Sequence, residues 1–301
     1  MAEAAASLEP PRSVGLIFDP RLDGAAELAG VLQKQIEARG VAARLTDRDA
    51  AAADVIASDL VICLGGDGTV LHCAHLVMGT KALILGVNLG RLGFLTELDR
   101  SQVSERLEDV LAGAGRIEER TMLHASVPGK EGFHGLNEAV VGRATLSTAI
   151  QLAVDVDGTR IADYRCDGVI VASATGSTAY ALSVGGPILH PESRDLVIVP
   201  VAPHLGAQHA VVLPESESVH ITLEQRQKAV LSVDGVSDLA LREGDSVSVR
   251  TSEHRARFLR LKPRTDFYVR MATQLGWHRP GGNATPLPAA LGSPAGAGGK
   301  G

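Results

Sequence analysis

The sequence predicts an α/β N-terminal domain with an open, mostly parallel sheet, followed by an all-β, sandwich-like C-terminal domain. Three observations carry this prediction. Apolar, β-branched runs alternate with helical stripes over residues 14–87. From Thr121 to about Leu261 the chain changes to short alternating runs separated by turn residues. A glycine-rich turn, Gly65-Gly66-Asp67-Gly68-Thr69, sits where a buried run stops and a helical pattern starts.

The elements follow in order. Residues 14–18, Val-Gly-Leu-Ile-Phe, read as a first short strand, and Ala25, Leu28, Val31, Leu32 and Ile36 then repeat at helical spacing up to Gly40. Val41 to Leu45 is a second strand, 48–57 admits a helix, and Asp59 to Leu64 has the length and branching of a buried strand. Val70, Leu71, Ala74, Val77 and Met78 share one helical face, and Lys81 to Val87 is another strand. In such a sheet ligands bind at the carboxyl ends of the strands, where the Gly65 loop lies. Val103, Leu107, Val110 and Leu111 make an amphipathic helix leading out of the first domain. Asp157-Gly158 between two alternating runs signals a hairpin. Val219, Ile221 and Leu223 alternate, as do Val247 and Val249, which fits an antiparallel sandwich. Phe267, Met271 and Leu275 form a final helical stripe suited to packing on the first domain. The expected organisation is an α/β domain at 13–98 joined by the helix at 264–277, a mainly β domain at 99–262, and a Gly, Pro and Ala-rich disordered tail at 279–301. The tail's Gly296-Ala297-Gly298-Gly299-Lys300-Gly301 satisfies G-x-G-x-x-G with no strand before it and no room for a helix after it, so it reads as a compositional accident.

Composition narrows the function classes. With 301 residues, 45% hydrophobic and 21% charged, the chain has the make-up of an ordinary globular protein with a substantial core. The net charge of −6, the lack of a basic run and the 3% aromatic content argue against nucleic acid as a partner. No stretch approaches the ~20 apolar residues of a membrane span, so no membrane partner is expected. Met1 to Pro11 carries Glu3 and Glu9 and lacks the basic start of a signal peptide. Cys63, Cys73 and Cys166 have no metal-type spacing and read as reduced core thiols. These features predict a cytoplasmic protein.

A strand running through glycines into a helix start is phosphate-binding geometry, because the backbone can approach closely and the helix offers free N–H groups. Asp67 stands out there, since a carboxylate repels phosphate. It could hold a metal that bridges phosphates, take a proton from an attacking hydroxyl, or simply cap the helix. In the segment Asp167 to Tyr180 a strand again runs into a small, hydroxyl-rich turn, and Ala181 to Ser183 leads on to Gly185-Gly186-Pro187. That turn reads as a polar-ligand loop or as a Ser/Thr helix cap. Asn137-Glu138 interrupts an apolar run, and its amide and carboxylate could bind a ribose diol or sit in a turn.

Together these residues resemble the NAD kinase family. The match runs through Gly65 to Thr69, Gly86 to Glu97, Asn137-Glu138, Asp167-Gly168, Thr175 to Tyr180, Gly185-Gly186-Pro187, Val201 to His204 and Val233-Asp234-Gly235. Order and spacing hold over about residues 14–277. The glycine-aspartate signature is shared with lipid kinases and 6-phosphofructokinases, whereas the Asn-Glu pair with the Thr-Gly-Ser-Thr-Ala-Tyr segment is more specific. The resemblance implies transfer of the terminal phosphate of ATP, or of polyphosphate, to the 2′-hydroxyl of the adenosine ribose of NAD, giving NADP. It implies Asp67 as general base, and Gly65, Gly66, Gly68 and Thr69 as the donor-phosphate loop. A divalent metal, magnesium, would arrive mainly on the phosphate donor, with no dedicated protein ligands. Asp67, Gly68, His72, Asn137, Glu138, Arg165, Asp167, Thr178, Ala179, Tyr180, Ala181, Leu182, Ser183 and Ala202 would line the NAD site. The family is homodimeric or homotetrameric, and Arg165 would reach a site shared between subunits. The chain departs from the family's usual pattern at Ala172 to Thr175, at Val236 and at Gly206 to His209.

Overall fold

The computed structural model describes residues 8–50, 53–90, 93–145, 148–204, 208–224 and 227–277. The chain divides into two units, Met1–Pro263 and Arg264–Gly301. The second unit is described through one helix, Asp266–Gln274. The tail expected to be disordered, with its glycine motif, lies outside the described residues.

The N-terminal lobe alternates strands and helices as the periodicity predicts. Strands β1 (Ser13–Phe18), β2 (Ala42–Asp47), β3 (Leu60–Gly65) and β4 (Leu83–Asn88) pair in parallel in the order β4-β3-β1-β2. Helices α1 (Ala25–Glu37), α2 (Ala53–Ile56) and α3 (Asp67–Leu76) are the connections. All six residues of β3 are buried, as a parallel strand covered on both faces requires. Leu16, Leu32, Ile36, Leu60, Ile62 and Leu85 pack on one side of the sheet, and Ile17, Val61, Val70, Cys73 and Ile84 on the other. A two-residue strand, β5 (Leu98–Asp99), extends β4.

The helix expected around 103–111 is two helices, α4 (Arg100–Glu105) and α5 (Leu107–Leu111). Asp99 and Gln102 form a capping box at the start of α4. Arg106, with φ −93° and ψ 0°, breaks the axis while Val103, Leu107 and Val110 all stay buried. An apolar stripe survives such a break, so periodicity alone does not reveal it.

The C-terminal lobe is a sandwich of two antiparallel sheets. One face is β13 (Val211–Leu213), β12 (Leu196–Val201), β11 (Gly168–Ala172), β8 (Glu138–Arg143), β15 (Ala229–Val233) and β16 (Ser237–Leu241), in that spatial order. The other is β10 (Thr159–Cys166), β9 (Ile150–Val156), β14 (Val219–Leu223) and β17 (Ser246–Arg260), with β6 (Arg116–Ser126) and β7 (Phe133–Gly135) added beyond β17. Leu152, Val154, Val219 and Ile221 from one sheet meet Val169, Val171, Ile198 and Leu231 from the other in a single core. The predicted hairpin at Asp157-Gly158 is present, with φ of 44° and 79°, the left-handed pair that a two-residue type I′ turn needs.

The two lobes share a strand. β17 runs for 15 residues, pairing with β14 and β6 and reaching β4 in parallel at Phe258↔Ile84. One sheet therefore runs from β10 to β2. All three cysteines are buried and free. Among the described residues no helix is long and apolar enough to cross a membrane.

Candidate active site

The glycine turn closes β3 and opens α3. Gly66 is the N-cap, in extended conformation, and Asp67 is the first helical residue. The helix thus starts two residues earlier than its apolar stripe suggests. Gly65 is required by space, since a Cβ there would lie 2.2 Å from the Thr69 hydroxyl oxygen, whereas Gly66 and Gly68 face open space. Thr69 is buried beneath the turn.

Asp67 is held by a segment that sequence reading matched to the family without assigning it a role. Its Oδ2 accepts the Phe94 N–H at 2.8 Å and its Oδ1 accepts the Leu95 N–H at 3.0 Å. Gly93 leaves the necessary room, because a Cβ there would fall 2.0 Å from Asp67 Oδ1. Leu95 is fixed in turn by Arg260, whose Nη1 donates to the Leu95 carbonyl at 2.9 Å. The carboxylate therefore has a defined orientation beside the glycine turn.

His72 and His75 lie on the same helix. Burial, then the nearby Arg48 charge, push the His72 imidazole below its ordinary value. His75 Nε2 lies 2.8 Å from Asp234 Oδ2. Asp234 sits in the left-handed region, φ 52°, in the turn after β15. Its fully buried carboxylate also accepts the N–H groups of Leu136, Asn137 and Glu138 at 2.6, 2.8 and 2.9 Å. One side chain thus fastens the Asn137-Glu138 corner to the helix that bears Asp67. Sequence reading matched Asp234 to the family but assigned no role to it or to His75.

The hydroxyl-rich turn packs on that corner. Ser173 N–H donates to the Asn137 carbonyl at 2.8 Å, and Ser173 Oγ donates to the Leu136 carbonyl. A Cβ on Gly176 would lie 2.1 Å from the Asn137 oxygen. Ser177 Oγ donates to the Ala174 carbonyl, and Thr178 Oγ1 donates to that of Thr175. The hydroxyls of this turn thus build the loop. Beyond it, α6 (Tyr180–Ser183) carries exposed Tyr180 and Ser183, half-buried Leu182, and Ala181 buried in the core. Ala179 precedes it as the N-cap.

Glu138 is the electrostatic centre of the corner. Burial, then the Asp234 carboxylate, push its carboxyl up to about 7, opposed by a hydrogen bond from the Tyr180 backbone N–H. Its Oε2 is buried with no hydrogen-bond partner among the described residues. A buried, unsatisfied carboxylate oxygen is costly in a folded protein and marks a place for a donor from a ligand.

The remaining expected site residues lie elsewhere. β8 and β11 pair antiparallel, Glu138 opposite Ala172 and Gly142 opposite Gly168. This register puts Asp167 at the far end of β8 from Glu138, about 17 Å away at ~3.4 Å per residue. Asp167 pairs with Arg143 at 2.8 Å, and its N–H donates to the Val201 carbonyl. Arg165, exposed on β10, accepts the His204 N–H at its carbonyl. Ala202 follows β12 with φ 45°, a conformation that non-glycine residues hold at a cost and that recurs at ligand sites. Arg165, Asp167 and Ala202 thus form a second group within one chain.

A glycine loop on a parallel sheet, with an oriented carboxylate at a helix start and a polar corner beside it, defines a phosphotransferase of the kinase class. Family comparison agrees with this. The ATP-NAD kinase N-terminal domain matches residues 23–115, and the ATP-NAD kinase C-terminal domain matches residues 136–261. The chain belongs to the NAD kinase family. Similar curated relatives include the NAD kinase of Dehalococcoides mccartyi (strain CBDB1), 35% identical over 88% of this chain and 96% of the relative. The NAD kinase of Chloroflexus aggregans is 39% identical over 87% of this chain and 98% of its own. Two solved structures share the fold. Yeast NADH kinase complexed with NADH has a TM-score of 0.76 at 22% identity, covering 95% of this chain and 91% of that one. An NAD kinase from Archaeoglobus fulgidus in complex with ATP has a TM-score of 0.74 at 24% identity, covering 87% and 99%.

Proposed function

We propose that this enzyme transfers the terminal phosphate of ATP, or of polyphosphate, to the adenosine 2′-hydroxyl of NAD, with Asp67 as general base. The observation that carries the reading is Asp67, held by two backbone N–H groups beside the glycine turn. The carboxylate takes the proton of the 2′-hydroxyl as that oxygen bonds to the terminal phosphorus. The bond from phosphorus to the leaving oxygen, that of ADP or of the polyphosphate shortened by one unit, breaks, and Gly65, Gly66, Gly68 and Thr69 border the transferring phosphate. The curated relatives, which are NAD kinases, and the NADH and ATP bound by the two fold neighbours support NAD and ATP as substrates.

The residues present fit a magnesium ion carried on the donor. Magnesium is commonly held largely through substrate phosphates; both Asp67 oxygens already accept backbone N–H groups, so that carboxylate serves the proton transfer and the donor's phosphates would hold the ion beside the turn. When bound, the ion neutralises charge on the transferring group. His72, Gly68 and Thr178 to Ser183 border the dinucleotide, and Asn137 and Glu138 hold its adenosine half. Arg165, Asp167 and Ala202 serve the site of a second subunit, because the β8–β11 register separates them from Glu138 within one chain. This assignment makes the active form a homodimer or homotetramer. The three buried free cysteines fit a reducing cytoplasm.

The test is NADP formation by purified protein with NAD, magnesium and either ATP or polyphosphate, read with an NADP-specific dehydrogenase. Product with either donor supports the reading. Silence with both donors in protein that binds NAD would overturn it.

Glu138 gives the binding step a pH signature. Ribose hydroxyls donate best to an ionised carboxylate, so NAD affinity is expected to rise as pH climbs through about 7. The folded protein also holds this proton more tightly than the unfolded chain. Glu138 therefore contributes a loss of stability as pH rises from the ordinary carboxylate range to about 7. Glu138→Gln is expected to flatten both profiles and weaken NAD binding. Calorimetric titration and thermal melts across this range check it, and an identical slope in the Gln variant would remove Glu138 from the site.

A further inference from the structure

Away from the glycine loop, imidazoles gather where β17 bulges. Between the pairs Thr251↔Leu123 and Arg255↔Thr121, β17 spends Ser252, Glu253 and His254 where β6 spends Met122 alone. β6 lies between β17 and β7, yet the bulge reaches across it, with Ser252 Oγ 2.8 Å from His134 Nδ1 on β7. One ligand atom from each of His134, Glu253 and His254 lies within 4.8 Å of the others. His254 Nε2 and Glu253 Oε1 are already 3.7 Å apart. Ligands at about 2.0–2.2 Å from a tetrahedral metal stand roughly 3.4 Å from one another, so small side-chain rotations complete the set.

We propose that His134, Glu253 and His254 bind one divalent transition-metal ion of the zinc class. Two imidazoles with one carboxylate suit zinc, cobalt or nickel rather than magnesium. The supporting shell is present. His134 Nδ1–H donating to Ser252 Oγ leaves the Nε2 lone pair for a metal, and the same Oγ accepts the backbone N–H of His254 at 3.0 Å. Metal-ligating histidines characteristically donate their second ring nitrogen as His134 does here. The His124 and His134 rings lie 4.7 Å apart and tilted at 47°, and the His254 ring lies 4.9 Å from that of His134, tilted at 57°. None of these residues belongs to the proposed NAD machinery, so the site stands or falls apart from that reading.

The test is titration of chelator-treated full-length protein with Co²⁺, following visible ligand-field absorption and calorimetric stoichiometry, with excess Mg²⁺ present. One Co²⁺ per chain is expected. His134→Ala and His254→Ala should each weaken it by at least ~10-fold, and Ser252→Ala by about 10-fold through the lost outer hydrogen bond. Glu253 is exposed, so Glu253→Gln probes the ligand set without disturbing the core and is expected to weaken binding as well. Absence of Co²⁺ binding to the wild-type chain would overturn the proposal. So would unchanged affinity in both His254→Ala and Glu253→Gln.

Discussion

Asp67→Asn is expected to lower turnover by about 10²–10⁴-fold, the usual contribution of a general base, while NAD still binds. The change keeps the side chain's size and removes its charge. It also disturbs orientation, because both carboxylate oxygens accept backbone N–H groups, from Phe94 and Leu95. An amide has one accepting oxygen, so its NH2 group must face one of these donors. The variant therefore loses the proton acceptor and its fixed geometry together. Gly93→Ala separates the two effects. It leaves the acid in place but sets a methyl 2.0 Å from Asp67 Oδ1, so the carboxylate must move. A fall in kcat in both variants, with calorimetric NAD affinity within a few-fold of wild type, is the expected pattern. Turnover within a few-fold of wild type in Asp67→Asn would show that another group takes the proton.

Arg260→Met is expected to destabilise the fold by about 3–5 kcal/mol, the typical effect of removing one partner from a buried ion pair. Arg260 is 3% exposed and sits between two acids, Nε to Glu118 at 2.9 Å and Nη1 to Glu97 at 3.3 Å. Burial works to raise the Glu118 carboxyl, but the Arg120 and Arg260 guanidiniums outweigh it and hold the group well below the usual carboxylate range. A depressed carboxyl contributes stability that is present at neutral pH and lost as pH falls through the acid range. Part of that contribution leaves with Arg260, so the gap between variant and wild type should narrow in acid. Thermal melts at neutral and acid pH measure it; at about 2–4 °C per kcal/mol the neutral shift is on the order of 10 °C. Because Arg260 also bonds the Leu95 carbonyl, kcat should fall in protein that remains folded. A melt unchanged at neutral pH would refute the account of this network.

The parallel sheet and the glycine turn were legible in the sequence because each has a local cause. β3 is an unbroken apolar run because both of its faces are covered, and Gly65 is glycine because Thr69 occupies the space of a Cβ. The support of Asp67 was not legible, since Phe94 and Leu95 contribute backbone N–H groups that any side chain would leave intact. The Asp234–His75 contact joins residues 159 positions apart, and no periodicity reports such a pair. The length of β17 was hidden as well. Val247 and Val249 alternate before the polar bulge at Ser252 to His254 interrupts the pattern, and Ala256 and Phe258 resume it beyond, so the two parts read as separate strands. The division of the expected NAD contacts into two groups needed the β8–β11 register, which sequence spacing does not contain.

The shared strand has a consequence for how the chain is made. β17 lies beside β4 in the finished sheet, yet more than half of the chain separates Ile84 from Phe258. During synthesis the early strands can pair among themselves, but the flank of β4 has to wait for β17 to emerge. Contacts of such long sequence separation close late, because the loop entropy is lost before the contact forms. The first lobe is thus assembled early and sealed late, and the strand that seals it also carries Arg260, whose bond to Leu95 holds the segment that orients Asp67. The surroundings of Asp67 are complete only once β17 has arrived.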